Sequence, residues 1–195
     1  MLTTAEKLGA IGNWLGKPTT EEKVMGAWEP SMFNQAHDLM AGVMTDHVYE
    51  DTIRNYDFST RLGKELVEGR LEFLTSQVDT SGEGIPLVVF NSLGWLRDDV
   101  VETVIGFKKG GIIDIQIIDH ANRIIPVEIL EAERFKDGGL KNAKIIFIAR
   151  EIPALGQAVY RVIPLTSTSS INASHETSEG ILENEYYRAK IELAT

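Results

Sequence analysis

Apolar residues in the first 80 positions recur mostly at intervals of three and four, which is the spacing of one face of an α-helix. The first such run stops at Gly16, and the second covers residues 21–39 with a glycine stop at Gly42. The third run begins near His47 and is the longest. The pattern therefore predicts an N-terminal three-helix bundle over residues 1–80.

Beyond residue 85 the spacing of apolar residues shortens, and the chain becomes rich in Val and Ile. Six short runs are separated by clusters of Gly, Asp, Asn and Pro, as is typical of strands joined by turns. Their sequences are LVVFN, DDVVETVI, IIDIQII, RIIPVEILE, AKIIFIA and QAVYRVIP. The expected fold class is α+β and multidomain, with the bundle followed by an antiparallel β-sandwich over residues 85–165.

Two prolines and the C-terminal segment add detail to this prediction. Pro30 lies inside the second helical run and should bend that helix, whereas Pro126 should lie at a sheet edge or a bulge. Residues 166–195 begin with a polar run and continue as GILENEYYRAKIELA, which alternates like a β-hairpin. We predict that this segment is a linker followed by the first strands of a truncated C-terminal β-domain.

The charge balance narrows the classes of partner. The chain carries 29 acidic and 19 basic residues, a formal net charge of -10, and no cysteine. We expect neither nucleic acid nor a membrane as a partner, because phosphate groups are bound mainly by clustered Lys and Arg. No apolar run approaches the roughly 20 residues of a bilayer-spanning helix, and the N-terminus lacks the form of a signal peptide. The sequence therefore predicts a soluble, cytoplasmic protein.

His37 and Asp38 are adjacent near the predicted end of the second helix. One interpretation is structural, because a histidine there can donate to the terminal carbonyl groups of the helix. The other is that the imidazole is a ligand of a divalent metal. Spacing alone favours the structural interpretation, since His47 lies in a different element and Asp38 is expected to point away from His37 on a helix.

The segment QAHDLMAGVMTDHVYED, which contains this pair, resembles the His-Asp segment of glycoside hydrolase family 38, the class II α-mannosidases. In that family a helix of a three-helix bundle carries the pair, followed by a glycine and a turn that leads to an acidic residue. Three further segments resemble the family in the same order, namely LVVFNSLGWLRDDVV, IPALGQAVYRV and LENEYYRAKI. They are similar to the opening and closing strands of the β-domain after the bundle and to the start of the large C-terminal β-domain.

The resemblance implies a metal-dependent retaining α-mannosidase that hydrolyses terminal α-mannosidic bonds. By position, His37 matches a family ligand of a divalent metal, usually zinc, and Asp38 matches a carboxylate that contacts the mannose. The N-terminal barrel of the family, which holds the catalytic carboxylates and most metal ligands, has no counterpart in this sequence. We therefore expect no catalytic residue in this chain, no activity of the chain alone, and weak or absent metal binding.

The partners implied by the resemblance are the missing N-terminal barrel and C-terminal domain of the same polypeptide, together with a mannoside or glycan substrate. The bundle face that normally meets the barrel should be exposed, so the chain is expected to self-associate, with a homo-oligomer as one outcome.

An alternative is a non-catalytic β-sandwich module that binds a carbohydrate or a protein. Trp14, Trp28 and Trp95 could stack on sugar rings, although each lies in an apolar pattern that favours core or turn packing. Paired acids for glycoside cleavage could be imagined at residues 98–99 and 131–133, but these positions fall on predicted strand edges and turns. Solvated charge is the favoured interpretation of both acidic pairs.

Overall fold

The computed structural model describes residues 1–18, 21–168, 180–183 and 187–190. The helices are α1 (Leu2–Trp14), α2 (Glu21–Phe33), α3 (His37–Met40) and α4 (Asp46–Ser76). The strands are β1 (Ile85–Phe90), β2 (Arg97–Gly106), β3 (Asp114–Ile118), β4 (Ile124–Ile125), β5 (Val127–Arg134), β6 (Leu140–Ile152), β7 (Gln157–Leu165), β8 (Ile181–Glu183) and β9 (Arg188–Lys190).

The chain forms two compact units. The first unit contains three segments, Met1–Ser81, Phe90–Trp95 and Ala154–Gly156. The two short segments are joined by backbone hydrogen bonds, including one of 2.9 Å from the Asn91 N–H to the Gly156 carbonyl. The second unit contains Gly82–Val89, Leu96–Pro153 and the described residues from Gln157 onward.

The first unit is built around the predicted three-helix bundle. Helices α1, α2 and α4 pack against one another, and α4, with 31 residues, contacts both of the others. The buried apolar side chains of the bundle are Ala5, Leu8, Ala27 and Leu74. Removing these side chains from water is the main force that holds the helices together.

Arg70 of α4 fixes the chain that leaves α1. Its side chain is buried, and its guanidinium donates hydrogen bonds to the carbonyl oxygens of Lys17 at 3.2 Å and Pro18 at 3.4 Å. A buried cation is costly unless its donors are satisfied, and these carbonyl groups provide acceptors. The long side chain therefore ties Lys17 and Pro18, which follow α1, to α4.

The second unit contains a sandwich of two sheets. The strand orders are β1-β7-β3-β4 and β2-β6-β5, and the registered pairs are antiparallel. Strand β6 is central in its sheet, so that Phe147 is paired with Val101 on one side and Val127 on the other. Side chains from both sheets share one core that includes Ile105, Ile115, Ile117, Ile145 and Val162. The predicted fold class, an α+β multidomain chain with a bundle and an antiparallel β-sandwich, is confirmed.

Pro126 lies where the chain leaves one sheet and enters the other. It separates β4, at the edge of the four-stranded sheet, from β5, at the edge of the three-stranded sheet. A proline has no N–H to donate to a sheet ladder, and an edge position tolerates this loss. The prediction for Pro126 is confirmed. Strands β8 and β9 pair antiparallel, as the alternating pattern of this segment predicts.

In the part of the chain that the structure describes, no helix combines the length and the apolar character needed to cross a bilayer.

Candidate functional site

The His37–Asp38 pair lies in a corner between α2 and α4, and not near the end of one long helix. Helix α2 ends at Phe33, and the two N–H groups that follow Asn34 bond carbonyls only three residues back. Ala36 then has extended backbone angles (φ -54°, ψ 139°), which interrupt the helix, and the short α3 begins at the next residue. The prediction that the second helical run is continuous through Leu39 is therefore wrong.

The far side of α3 is closed by Gly42. This glycine has φ 74°, and its N–H donates to the Leu39 carbonyl at 3.2 Å. The N–H of Val43 donates to the Asp38 carbonyl at 3.1 Å. These two bonds form a Schellman motif, which requires a left-handed residue at the glycine position. The predicted glycine stop is present at Gly42, but it ends α3 and not α2, and it fixes the backbone of Asp38 directly.

The side chains of the pair face solvent and contact each other. His37 Nε2 lies 3.2 Å from Asp38 Oδ1, and the two side chains are 94% and 73% exposed. The expectation that Asp38 points away from its neighbour is wrong, because both residues lie in the first turn of a four-residue helix where χ1 rotation can bring the tips together. An imidazole buried in the bundle could not bind a ligand from outside, whereas this one is accessible.

The pair alone does not complete a metal site. His47 lies exposed in the first turn of α4, and among the described residues no group of three or more His, Asp or Glu side chains could hold a metal ion. Zinc in proteins usually takes four ligands, of which three or four come from protein side chains. The described donor set therefore fits one or two coordination positions.

The acidic pairs of the second unit are engaged with cations. Asp98 Oδ2 lies 3.6 Å from Arg150, Asp99 contacts Arg97, Glu131 lies 3.8 Å from Lys144, and Glu133 lies 2.5 Å from Lys141. Hydrogen bonds from Lys141 and Asn142 hold the pKa of Glu133 below its ordinary value. These acids form exposed ion pairs, which agrees with the interpretation as solvated charge.

Of the three tryptophans, Trp14 departs from the prediction of core or turn packing. Trp14 ends α1 with 85% of its surface exposed, and Trp95 is 63% exposed. Trp28 is half-buried in α2. An apolar residue in the last turn of a helix continues the helical pattern even where no neighbouring helix covers it, so the pattern could not separate Trp14 from the core.

Asn34 is the residue near the pair that sequence reasoning missed. It is 1% exposed, and its Nδ2 donates to the Thr52 carbonyl at 2.8 Å. Asn55 Nδ2 lies 3.3 Å from its Oδ1. A single Asn between a helix and a turn is typical of surface turns. In the sequence, Asn34 is distinguished only by its position, directly after Phe33 and three positions before His37.

The chain has a fold like that of a segment of a known enzyme. It is similar to the crystal structure of an alpha-mannosidase from Enterococcus faecalis V583, with a TM-score of 0.69 and 19% sequence identity. The similarity covers 98% of this chain and 26% of that chain. Neither a protein-family model nor a curated protein sequence matches the chain. The structural similarity establishes a mannosidase-like fold over almost the whole sequence.

Proposed function

We propose that this chain is the bundle and β-sandwich segment of a metal-dependent retaining α-mannosidase of the glycoside hydrolase family 38 type. In this proposal it contributes one metal ligand and part of the sugar pocket, and it is inactive alone. The observation that carries the proposal is the similarity of fold to an alpha-mannosidase over 98% of the chain. The accessible His37–Asp38 pair, at a defined corner of the first unit, gives that fold a candidate site.

His37 is the proposed metal ligand. A neutral imidazole has one protonated nitrogen and one nitrogen with a lone pair, and the hydrogen bond made by the first selects the second. His37 Nε2 lies 3.2 Å from Asp38 Oδ1, so we assign Nδ1, the nitrogen that does not face the carboxylate, as the one that would bind a cation. A divalent metal, when bound, would act as a Lewis acid toward sugar hydroxyl groups. The remaining ligands would come from the barrel region of the proposed complete enzyme.

Asp38 is the proposed sugar contact. An ionised carboxylate is an acceptor with two oxygens, so Oδ1 can stay beside His37 while Oδ2 accepts from a sugar hydroxyl. Its backbone is fixed because its carbonyl accepts the Val43 N–H in the Schellman motif. A hydroxyl held at a fixed oxygen orients the sugar ring beside the metal position. The hydrolysis itself, with a carboxylate nucleophile and a carboxylic acid, is assigned to residues outside this chain.

Zinc titration of the 195-residue chain tests the ligand role. We expect weak binding by calorimetry, because one imidazole leaves most coordination positions to water, and we expect His37→Ala to remove it. His47→Ala is the matched control, since it deletes an exposed histidine of the same unit. Tight stoichiometric binding lost in His37→Ala would contradict the partial site, and binding unchanged in His37→Ala would contradict the ligand role.

Two further observations test the assignment as a segment of an enzyme. An aryl α-mannoside should not be hydrolysed by this chain above the background rate. The coding region that contains this segment should also encode a barrel upstream, and the complete product should hydrolyse the same substrate with a dependence on added divalent metal. A reading frame without a barrel, or hydrolysis by the chain alone, would contradict the proposal.

The exposed Trp95 supports a second candidate, a carbohydrate-binding module. Aromatic rings that face solvent can stack on sugar rings, and Trp95 lies in a turn closed by a 2.8 Å hydrogen bond from Asn91 Nδ2 to its carbonyl. On a glycan array this candidate requires binding that is lost in Trp95→Ala and retained in Trp14→Ala. An array without binding would remove this candidate and leave the mannosidase proposal intact.

A further inference from the structure

The corner that carries the His37–Asp38 pair has one buried side chain that anchors it to the bundle. Helix α3 has no buried residue. All residues from 28 to 51 are described, and Asn34 is the only one of them that is buried. The placement of the pair relative to the bundle therefore depends on the backbone turns on either side, on this one buried side chain, and on the half-buried Leu39 and Met44.

Both polar ends of the Asn34 amide face α4. Nδ2 donates to the Thr52 carbonyl at 2.8 Å, across 18 positions of sequence, and Oδ1 lies 3.3 Å from Asn55 Nδ2. Thr52 and Asn55 are three residues apart on a helix, so they lie on the same face. The Thr52 hydroxyl also lies 4.0 Å from the sulfur of Met44, on the other side of α3. The two ends of the corner thus converge on one turn of α4.

The amide chemistry suits this position. A buried residue here must donate to a backbone carbonyl and accept from a second amide, and Asn provides both functions on a short side chain. An apolar substitute would leave the amide group of Asn55 without this acceptor. An aspartate would have the same shape but would direct a carboxylate oxygen at the Thr52 carbonyl, replacing a donor by an acceptor.

We propose that Asn34 is the positioning residue of the His37–Asp38 pair, a role that rests on the proposed function. It fixes the start of α3 against α4 so that the imidazole and the carboxylate are presented in one place to a metal and a sugar. Asn34 touches neither ligand in this proposal. It acts through Gln35 and Ala36, the two residues that separate it from His37.

The test uses the 195-residue chain and the isosteric variant Asn34→Asp. Backbone ¹⁵N relaxation at residues 37 and 38 measures local order, and the zinc-dependent shift of the His37 ring signals measures affinity. In Asn34→Asp we expect lower order at both positions and a zinc midpoint raised by about threefold, because the corner must then be ordered when the metal binds. The His47 signals in α4 provide the internal reference and should not change in order.

Asn13→Asp is the matched control. It introduces the same charge on an exposed residue of α1 in the same unit, so it separates the loss of the anchor from a change in net charge. We expect the relaxation and the zinc midpoint of this variant to equal those of the unaltered chain. A folded Asn34→Asp variant with the order and midpoint of Asn13→Asp would overturn the proposal.

A milder variant covers the case in which Asn34→Asp does not fold. Asn55→Ala removes only the longer contact, so it should lower the order at residues 37 and 38 by a smaller amount and leave the fold intact. Unchanged order in Asn55→Ala and a loss of fold in Asn34→Asp would together overturn the positioning role in favour of a general packing role.

The relaxation measurement also separates this proposal from the proposed function. If the His37 signals of the unaltered chain do not respond to zinc, the ligand role fails, while the change in order still decides whether Asn34 positions the corner. If zinc binds at His37 and both variants leave order and midpoint unchanged, only the positioning role fails.

Discussion

Asp119 binds Arg123 through both of its carboxylate oxygens. Oδ1 accepts the backbone N–H of Arg123 at 2.9 Å, and Oδ2 accepts its Nε–H at 2.6 Å. The Ala121 N–H also donates to Oδ1, at 2.8 Å. Three donors thus close the turn between β3 and β4 around one carboxylate that is almost fully buried.

This arrangement predicts a loss of stability in acid. Burial by itself raises the pKa of Asp119, but the hydrogen bonds from Arg123 and Ala121 outweigh it, and the pKa in the folded chain lies below its ordinary value. The contribution of ionised Asp119 to the free energy of unfolding is therefore present above the unfolded pKa of about 4. It is lost as the pH falls through the pKa of Asp119 in the folded chain.

Asp119→Asn should lower the free energy of unfolding at pH 7 by about 1–3 kcal/mol, because the charged partner of Arg123 is lost. Urea denaturation of the β-sandwich, followed from pH 7 to pH 2.5, measures this effect. The variant should lose less stability in acid than the unaltered chain. Glu128→Gln on the exposed face of β5 is the control. Identical pH dependence in the Asp119 variant and the unaltered chain would contradict the role of Asp119.

Gly42→Ala should destabilise the first unit by about 1 kcal/mol, since an L-residue is strained in the left-handed conformation that ends α3. Gly69→Ala should have the opposite sign, because this residue is inside α4 and an added Cβ meets no atom within 4 Å. Chemical denaturation monitored by helical circular dichroism compares the two variants. Equal effects of the two substitutions would contradict the assigned glycine roles.

Tyr160→Phe should destabilise the sandwich by about 1 kcal/mol. The Tyr160 hydroxyl accepts the backbone N–H of Arg150 at 2.9 Å. The Tyr160 ring packs edge-on against the Phe147 ring with 5.2 Å between the ring centroids, and the variant keeps this contact. Burial raises the pKa of Tyr160 above its ordinary value. The contribution of the neutral Tyr160 hydroxyl to the free energy of unfolding is fully present below the unfolded pKa of about 10. It is lost as the pH rises through the pKa of Tyr160 in the folded chain. Denaturation between pH 8 and pH 11.5 should show a smaller alkaline loss in the variant than in the unaltered chain.

Self-association should depend on the exposed apolar residues beside the candidate site. Phe33, Met40 and Val43 are 70%, 66% and 75% exposed. Sedimentation velocity over a hundredfold range of concentration should show association. The association should be reduced in Phe33→Ser and unchanged in Val104→Ser, which alters a similarly exposed residue of β2 (65%). A monomer at all concentrations would contradict self-association through these exposed apolar residues.

The elements in which apolar residues recur at a regular spacing were predictable from the sequence. The three long helices have repeating apolar positions, and each predicted apolar run contains or overlaps a strand of the sandwich. Pro126 could be placed because its missing N–H excludes a central strand position. In each case the information that predicts the element is a local pattern of a few neighbouring residues.

The corner at the candidate site was not predictable in the same way. Between α2 and α3, Asn34 is buried and bonds the Thr52 carbonyl, 18 positions away. No local pattern encodes that contact. The accessible His37–Asp38 pair was identified through family resemblance, while spacing alone favoured a structural role for the histidine.

The central position of β6 has a consequence for the motions of the sandwich. Its residues are held by β2 on one side and β5 on the other, so an opening that frees its amides must separate at least one of these neighbours. The edge strands can detach first, while β6 persists until the whole sheet comes apart. Its amide protons should therefore be the last of the three-stranded sheet to exchange with deuterium, at a rate set by global unfolding of that unit.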